Sequence, residues 1–160
     1  MLRLILDSNV YSIIAKDIES IELFDPTVFC ALEGDSLGVT GADCAHIQES
    51  DIVIVNAEKS LGAGTAIELV IAKYLKKPVI TVLPKDSHHR RSNVNFEGRL
   101  VADWIHPFID TFSDVVIEKP HQVKHALQQL QTLSIKDASI IHEAIMYAKE
   151  ILLQKNSNRA

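Results

Sequence analysis

Two short apolar runs with a helical segment between them constrain the fold of this chain most strongly. The runs Ile52–Asn56 (IVIVN) and 79–83 (VITVL) are β-branched and lack polar alternation, which is typical of strands buried on both faces of a parallel sheet. Between them, residues 65–76 carry apolar side chains at helical spacing. This strand–helix–strand unit predicts an α/β protein built around a parallel sheet.

The rest of the chain continues the alternation of strands and helices. Apolar runs predict strands at 2–6, 21–24 and 115–117, and apolar spacing predicts helices at 9–19, 42–50, 98–112, 121–133 and 135–153. Pro107 is expected to interrupt the helix at 98–112, and the glycines at 34, 38 and 41 are expected in a loop. We predict a flavodoxin-like or Rossmann-like doubly wound fold, with about five mainly parallel strands and helices on both faces.

Length and composition fit one globular domain. The chain has 160 residues, of which 47% are hydrophobic and 23% charged, a profile that excludes intrinsic disorder and coiled coil. We expect one domain over residues 1–160, with 155–160 as a frayed tail. The net charge of −5 argues against nonspecific nucleic-acid binding, and no apolar run approaches the ~20 residues that span a bilayer. With two cysteines and no signal peptide expected, we predict a cytoplasmic protein.

A glycine turn links the central strand to the helix that follows it. In the segment 60–65 (SLGAGT), Gly62 and Gly64 let the backbone approach a bound group, at the edge of the sheet where doubly wound folds bind ligands. Glu68 is expected in the first turn of the helix, where the helix dipole favours a carboxylate. A purely structural alternative is a capping box formed by Thr65 and Glu68.

Asp43 is a second candidate carboxylate, and it is expected to begin the short helix before the central strand. On its own it is equally well explained as a helix cap after Gly41. If Asp43 and Glu68 converge, they form the pair of carboxylates that glycosidic-bond chemistry uses with its oxocarbenium-like transition state.

A set of short motifs surrounds these two residues. Asp43 is followed eight residues later by Asp51 at the start of a buried strand, then by a Gly-Thr turn at 64–65, Glu-Leu at 68–69 and Lys-Pro-Val-Ile at 77–80. In this pattern, residues 43–83 resemble the nucleoside 2-deoxyribosyltransferase family and its nucleotide N-glycoside hydrolase relatives. Val70 and Gly62 depart from the family, since many members have Gly at the first position and some have a carboxylate at the second.

The resemblance implies an enzyme that cleaves the N-glycosidic bond of a (deoxy)nucleoside or nucleoside 5′-monophosphate, and passes the sugar to another base or to water. It implies that Glu68 attacks C1′ and that Asp43 contacts the base and assists its departure. It also implies a homo-oligomer, because in the family a neighbouring chain completes the site. No metal or cofactor is expected.

Substrate contacts are expected from loops at the same edge of the sheet. The loop 84–93 is a local basic cluster that can hold a 5′-phosphate through arginine forks, although a solvated loop is the plainer interpretation. The candidate substrate-binding residues are Asp7, Ser8, Tyr11, Ser60, Gly62, Gly64, Thr65, His89, Arg90 and Arg91.

Two other functions stay open. One is a nucleotide-binding module without turnover, in which Glu68 is a helix cap and the basic loop holds phosphate. The other is a phosphoribohydrolase, because G-x-G-T-x-x-E (62–68) also occurs in the nucleoside-monophosphate phosphoribohydrolases. Transfer and hydrolysis also remain open, as do purine and pyrimidine substrates.

Overall fold

The computed structural model describes residues 2–5, 14, 18, 21–24 and 35–157. The strands are β1 (Leu2–Ile5), β2 (Ile21–Phe24), β3 (Ile52–Asn56), β4 (Val79–Val82), β5 (Arg90–Phe96), β6 (Arg99–Ile105) and β7 (Val115–Ile117). The helices are α1 (Ser36–Glu49), α2 (Ala63–Tyr74), α3 (Pro107–Phe112), α4 (Val123–Leu130) and α5 (Ser139–Ser157), with a 3-10 turn at Pro120–Gln122.

The strands form a parallel sheet and a separate hairpin. The sheet has the order β2-β1-β3-β4-β7, and each neighbouring pair in it runs parallel. Strands β5 and β6 pair with each other in antiparallel fashion. The strands predicted at 21–24, 52–56 and 115–117 have the predicted bounds, and the one predicted at 79–83 ends one residue earlier. The strand predicted at 2–6 is observed over 2–5, and residue 6 lies outside the described residues. The predicted α/β class is confirmed.

Both faces of the sheet are buried under helices. Alternate residues of β3 belong to two different core clusters, because successive side chains of a strand point to opposite faces. Ile52 and Ile54 pack with residues of α4 on one face. Val53 and Val55 pack with residues of α1, α2 and α3 on the other face. Because helices cover both faces, the part of the sheet that remains available for a ligand-binding site is the edge formed by the carboxyl ends of the strands, where β3 leads into α2.

The segment 90–105 folds as a hairpin, so the helix predicted at 98–112 is wrong over 98–105 and confirmed over 107–112, where α3 lies. Strands β5 and β6 are joined by Glu97 and Gly98, whose φ angles are +50° and +88°. Positive φ at both residues of a two-residue turn matches the twist of the two strands, and this accounts for the glycine at 98. Pro107 is the first residue of α3 instead of a break within a longer helix.

Helix α1 begins earlier than the predicted helix at 42–50. Asp35 is its N-cap, and the Asp35 side chain accepts the N–H of Gly38 at 2.9 Å. Gly38 and Gly41 therefore lie inside the helix, and the loop predicted for them is wrong. An interior glycine costs about 1 kcal/mol of helix stability, and the cap together with burial of Ile47 offsets that cost.

The final helix is the longest element described. Helix α5 runs to Ser157, so residues 155–157 are helical and the frayed tail predicted for 155–160 is wrong there, while 158–160 lie outside the described residues. Among the residues described, no helix has both the length and the apolar character needed to cross a membrane. The single domain over 1–160 and the cytoplasmic location stay predictions.

Candidate functional site

Asp43 and Glu68 lie on neighbouring helices, near enough for the charge of Asp43 to act on Glu68. Asp43 is on α1 and Glu68 is on α2, and both are partly buried. The pKa of Glu68 is raised above its ordinary value of 4.5, first because burial removes its carboxylate from water and then because the negative charge of Asp43 repels it. The structure thus brings together the two carboxylates predicted as catalytic.

Neither carboxylate stands at the start of its helix. Helix α2 begins at Ala63 after an N-cap glycine that offers no side-chain cap, and its first turn contains no acidic residue. Thr65 is its third residue and Glu68 its sixth, so the capping box and the first-turn position predicted for Glu68 are wrong. Asp43 is the eighth residue of α1, so its predicted place at a helix start is also wrong. Helix capping therefore accounts for neither group.

The turn before α2 leaves its backbone open to ligands. Gly62 has an ordinary φ of −68°, and a Cβ added at Gly62 or Gly64 would meet no described atom within 4 Å. Neither strain nor crowding from the described residues therefore demands glycine here. Ser60, Gly62 and Gly64 are exposed and Thr65 is partly buried. A small ligand can reach the main chain at this turn.

His89 lies against the same turn. Its Nε2 atom accepts the backbone N–H of Leu61 at 3.1 Å. The rings of His88 and His106 approach it edge-on, with centroid distances of 4.6 and 5.5 Å. Burial, and then the two neighbouring imidazoles, lower the pKa of His89 below its ordinary value of 6.5. Because Nε2 accepts a hydrogen bond, the neutral ring carries its proton on Nδ1.

An apolar cavity of about 380 Å³ lies between α2 and α3. Ala66 and Val70 of α2 line it opposite Phe108 of α3, and His89 contributes to its wall. Glu68 projects roughly 160° around the helix from Val70, because each residue turns an α-helix by about 100°. His89 and Glu68 therefore lie on opposite sides of α2 and do not share this cavity.

The two arginines predicted to bind phosphate have different surroundings. Arg90 is buried, and its Nε and Nη2 donate to the two carboxylate oxygens of Asp103 at 2.8 and 2.6 Å. Its Nη1 donates to the carbonyl of Leu83 at 3.1 Å. Arg91 is exposed, with its guanidinium carbon 5.8 Å from the centre of the Trp104 ring. Of the two, Arg91 has the side chain that a ligand can reach.

Three of the predicted substrate contacts, Asp7, Ser8 and Tyr11, lie outside the described residues. In the part of the chain that the structure describes, no three His, Cys, Asp or Glu side chains are grouped in a way that could hold a metal ion. The expectation that neither metal nor cofactor takes part stays a prediction.

A buried ion pair that the sequence did not predict lies at the opposite edge of the sheet. Lys73 in the last turn of α2 pairs with Asp114 just before β7, and their side chains are 0% and 1% exposed. Asp114 also accepts the N–H groups of Val79 at 2.7 Å and Lys136 at 2.8 Å. Burial lowers the pKa of Lys73, and Asp114 opposes that shift. The one feature of the sequence that indicated burial of Lys73 was its position one helical turn after Leu69, which is buried.

Comparison with known proteins adds no family assignment. The sequence matches no protein-family model, and a search of curated proteins finds no significant match. The case for a function rests on the residues themselves and on where the structure places them.

Proposed function

We propose that this protein cleaves the N-glycosidic bond of a nucleoside or nucleoside 5′-monophosphate. The observation that carries the proposal is the electrostatic interaction of Asp43 on α1 with Glu68 on α2, which contributes to the raised pKa of Glu68. Two carboxylates at a reacting sugar carbon supply the nucleophile and the proton donor that such a cleavage needs. The resemblance of residues 43–83 to enzymes of this class supports the same assignment.

In this mechanism Glu68 is the nucleophile. Its carboxylate forms a bond to C1′ as the C1′–N bond breaks, and the base leaves with that electron pair and takes a proton. Asp43 holds the base and assists transfer of a proton from solvent to the leaving nitrogen. Water or a second base then attacks C1′ and frees Glu68 as a carboxylate, and the proton that the attacking group loses returns to solvent. Attack by water gives hydrolysis, and attack by a base gives transfer.

The order of strands supports a flavodoxin-like, doubly wound fold. If the parallel strands are numbered along the chain, β7 is the fifth, and the observed order is the one in which flavodoxin-like sheets are built. Ligands of such folds bind outside the carboxyl ends of the strands. Strand β3 ends at this edge and leads through the glycine turn into α2, the helix that carries Glu68.

Self-association is also part of the proposal. Phe108, Ile141 and Ile145 line an apolar groove of about 390 Å³ between α3 and α5, and they are 69%, 42% and 47% exposed. Exposed apolar surface of this kind is typical of protein interfaces, and we infer that a second copy of the chain covers it. Sedimentation velocity should show an oligomer that Ile145→Glu disrupts, and a wild-type monomer at every concentration would contradict the inference.

A substrate panel tests the proposed reaction. Purified protein is incubated with nucleosides and 5′-monophosphates, each with and without a free acceptor base, and base release or exchange is followed by chromatography. We expect activity from the wild-type protein and none from Glu68→Gln. Glu49→Gln, at an exposed position on the helix that carries Asp43, is the control and should stay active. Tight nucleotide binding without turnover of any substrate would overturn the proposal and favour a binding module.

A further inference from the structure

A hydrogen bond between His89 and Leu61 joins the loop before β5 to the turn before α2. The two residues are 28 positions apart in the sequence, and the His89 Nε2 accepts the Leu61 N–H at 3.1 Å. Leu61 comes directly before Gly62, whose carbonyl accepts the Ala66 N–H at 3.1 Å as α2 begins. The imidazole therefore contacts the chain at the point where the helix carrying Glu68 starts.

The chain between β3 and α2 is mostly exposed and contains a glycine just before the helix. Before it, Ala57 is anchored to the sheet, because its N–H donates to the Val82 carbonyl at 2.8 Å. Residues 58–60 are exposed, and a Cβ added at Gly62 or Gly64 would meet none of the described residues within 4 Å. Glycine gives the main chain a wide choice of conformations. The bond from His89 restricts that choice just before the first residue of α2.

The hairpin holds His89 in a defined place. The His89 carbonyl accepts the N–H of His106 at 2.8 Å, and the rings of His88 and His106 pack edge-on against its own ring. The next residue, Arg90, is buried and paired with Asp103 across the hairpin. A rigid support of this kind lets one imidazole set the position of the turn.

We propose that His89 is a positioning residue for the proposed reaction: by accepting the Leu61 N–H, it fixes the start of α2 and with it the position of Glu68. This role rests on the proposed function, and it differs from a substrate contact because His89 and Glu68 lie on opposite sides of α2. Only an unprotonated Nε2 can accept the bond. The link therefore exists only while the ring is neutral.

The surroundings of His89 keep its ring neutral near pH 7. The titratable groups that face it are His88 on its own loop and His106 after β6, and a positive charge on either one opposes protonation of His89. The residues that α2 and α3 place beside it, Ala66, Val70 and Phe108, are apolar. Acidification that protonates His89 breaks the bond, and turnover should fall with it.

A first experiment measures the link without any substrate. The protection of the Leu61 amide against hydrogen exchange is measured by NMR, relative to the intrinsic exchange rate, at about pH 8 and at a pH below the pKa of His89, which titration of the His89 ring signals locates. We compare the wild type with His89→Ala, which removes the acceptor, and with His89→Gln, whose amide oxygen replaces Nε2. We expect protection in the wild type only at the higher pH, in His89→Gln at both, and in His89→Ala at neither. Unchanged protection in His89→Ala would overturn the proposal.

A second experiment measures turnover of the same variants. Displacement of a catalytic group lowers the rate of the chemical step, so His89→Ala should reduce kcat about tenfold with little change in KM. His89→Gln should restore kcat. In its pH–rate profile, the fall in kcat that protonation of His89 causes at acidic pH should be absent. His125→Ala, which removes an exposed imidazole on α4 that makes no contact with His89, is the control and should keep the wild-type kcat.

The two failures can be told apart. If His89→Ala raises KM and leaves kcat unchanged, His89 is a substrate contact and the positioning role is wrong. If the Leu61 amide behaves as expected but no nucleoside or nucleotide is turned over by the wild-type protein, the proposed reaction is wrong and the role of His89 in it falls too.

Discussion

Glu68 on α2 interacts electrostatically with Asp43 on the neighbouring helix α1, and the charge of Asp43 raises the pKa of Glu68. Both side chains are partly buried within their helices, where helix capping explains neither. Like charges held close together oppose folding, and groups with perturbed pKa values concentrate at functional sites. The pair is therefore the centre of the functional account.

Removal of the Asp43 charge should lower the pKa of Glu68. Because burial is the larger cause of the shift and Asp43 the smaller, Asp43→Asn should move this pKa part of the way back toward 4.5. The carboxyl carbon of Glu68, followed by NMR as a function of pH, measures the change. Glu49→Gln should leave the titration as it is, and an unchanged curve in Asp43→Asn would show that the two groups do not interact.

The charge of Glu68 should also reduce stability at neutral pH. A carboxyl whose pKa is higher in the folded state favours folding below the unfolded value of about 4.5, and that contribution is lost as pH rises through the folded pKa. Glu68→Gln should therefore be more stable than the wild type at pH 7, with the difference vanishing toward about pH 4. Urea unfolding at both pH values measures this, and a Glu68→Gln protein that is less stable at pH 7 contradicts it.

The Lys73–Asp114 ion pair should be necessary for stability, because each partner alone would leave a buried charge without compensation. We expect Lys73→Met and Asp114→Asn each to destabilise the fold by about 3–5 kcal/mol in urea unfolding. The matched control is the Lys85–Glu118 pair, which has an N–O distance of 3.3 Å but side chains that are 55% and 39% exposed. Lys85→Met should cost less than about 1 kcal/mol. Equal losses of stability in Lys73→Met and Lys85→Met would contradict the expected difference between the buried and the exposed ion pair.

Arg90 and Arg91 should differ in what their removal changes. Arg90→Ala leaves Asp103 without its bidentate partner, so we expect a loss of about 1–3 kcal/mol of stability. Arg91→Ala should change stability by no more than about 0.5 kcal/mol. If Arg91 binds a 5′-phosphate, the same variant raises KM for monophosphates and leaves KM for nucleosides unchanged. An equal effect on both substrate classes would exclude the phosphate contact.

The parallel sheet could be predicted because its strands carry a strong local signal. Strand Ile52–Asn56 is buried on both faces, so its first four positions all carry apolar, β-branched side chains. The sequence alone did not show whether Asp43 and Glu68 converge, because that depends on how the two helices pack. Asp43 lies six residues and Glu68 two residues further into its helix than predicted, because α1 begins at Ser36 instead of 42 and α2 at Ala63 instead of 65.

The hairpin and the long-range contacts left much weaker signals. Most side chains of β5 and β6 are exposed, so their hydrophobicity does not alternate clearly, and Glu97-Gly98 is a weaker turn signal than Asn-Gly. The pairs Lys73–Asp114 and His89–Leu61 are 41 and 28 residues apart. Nothing local in the chain shows that such residues meet, since their contact is a product of the complete fold.

The most direct test of the central claim is to trap the sugar on Glu68. Wild-type protein is mixed with the substrate that the panel identifies, quenched within one turnover, digested and analysed by mass spectrometry. We expect a peptide containing Glu68 to carry the mass of the glycosyl group, and the adduct and base release both to disappear in Glu68→Gln. Undiminished base release by Glu68→Gln, or an adduct on another residue, would contradict the account.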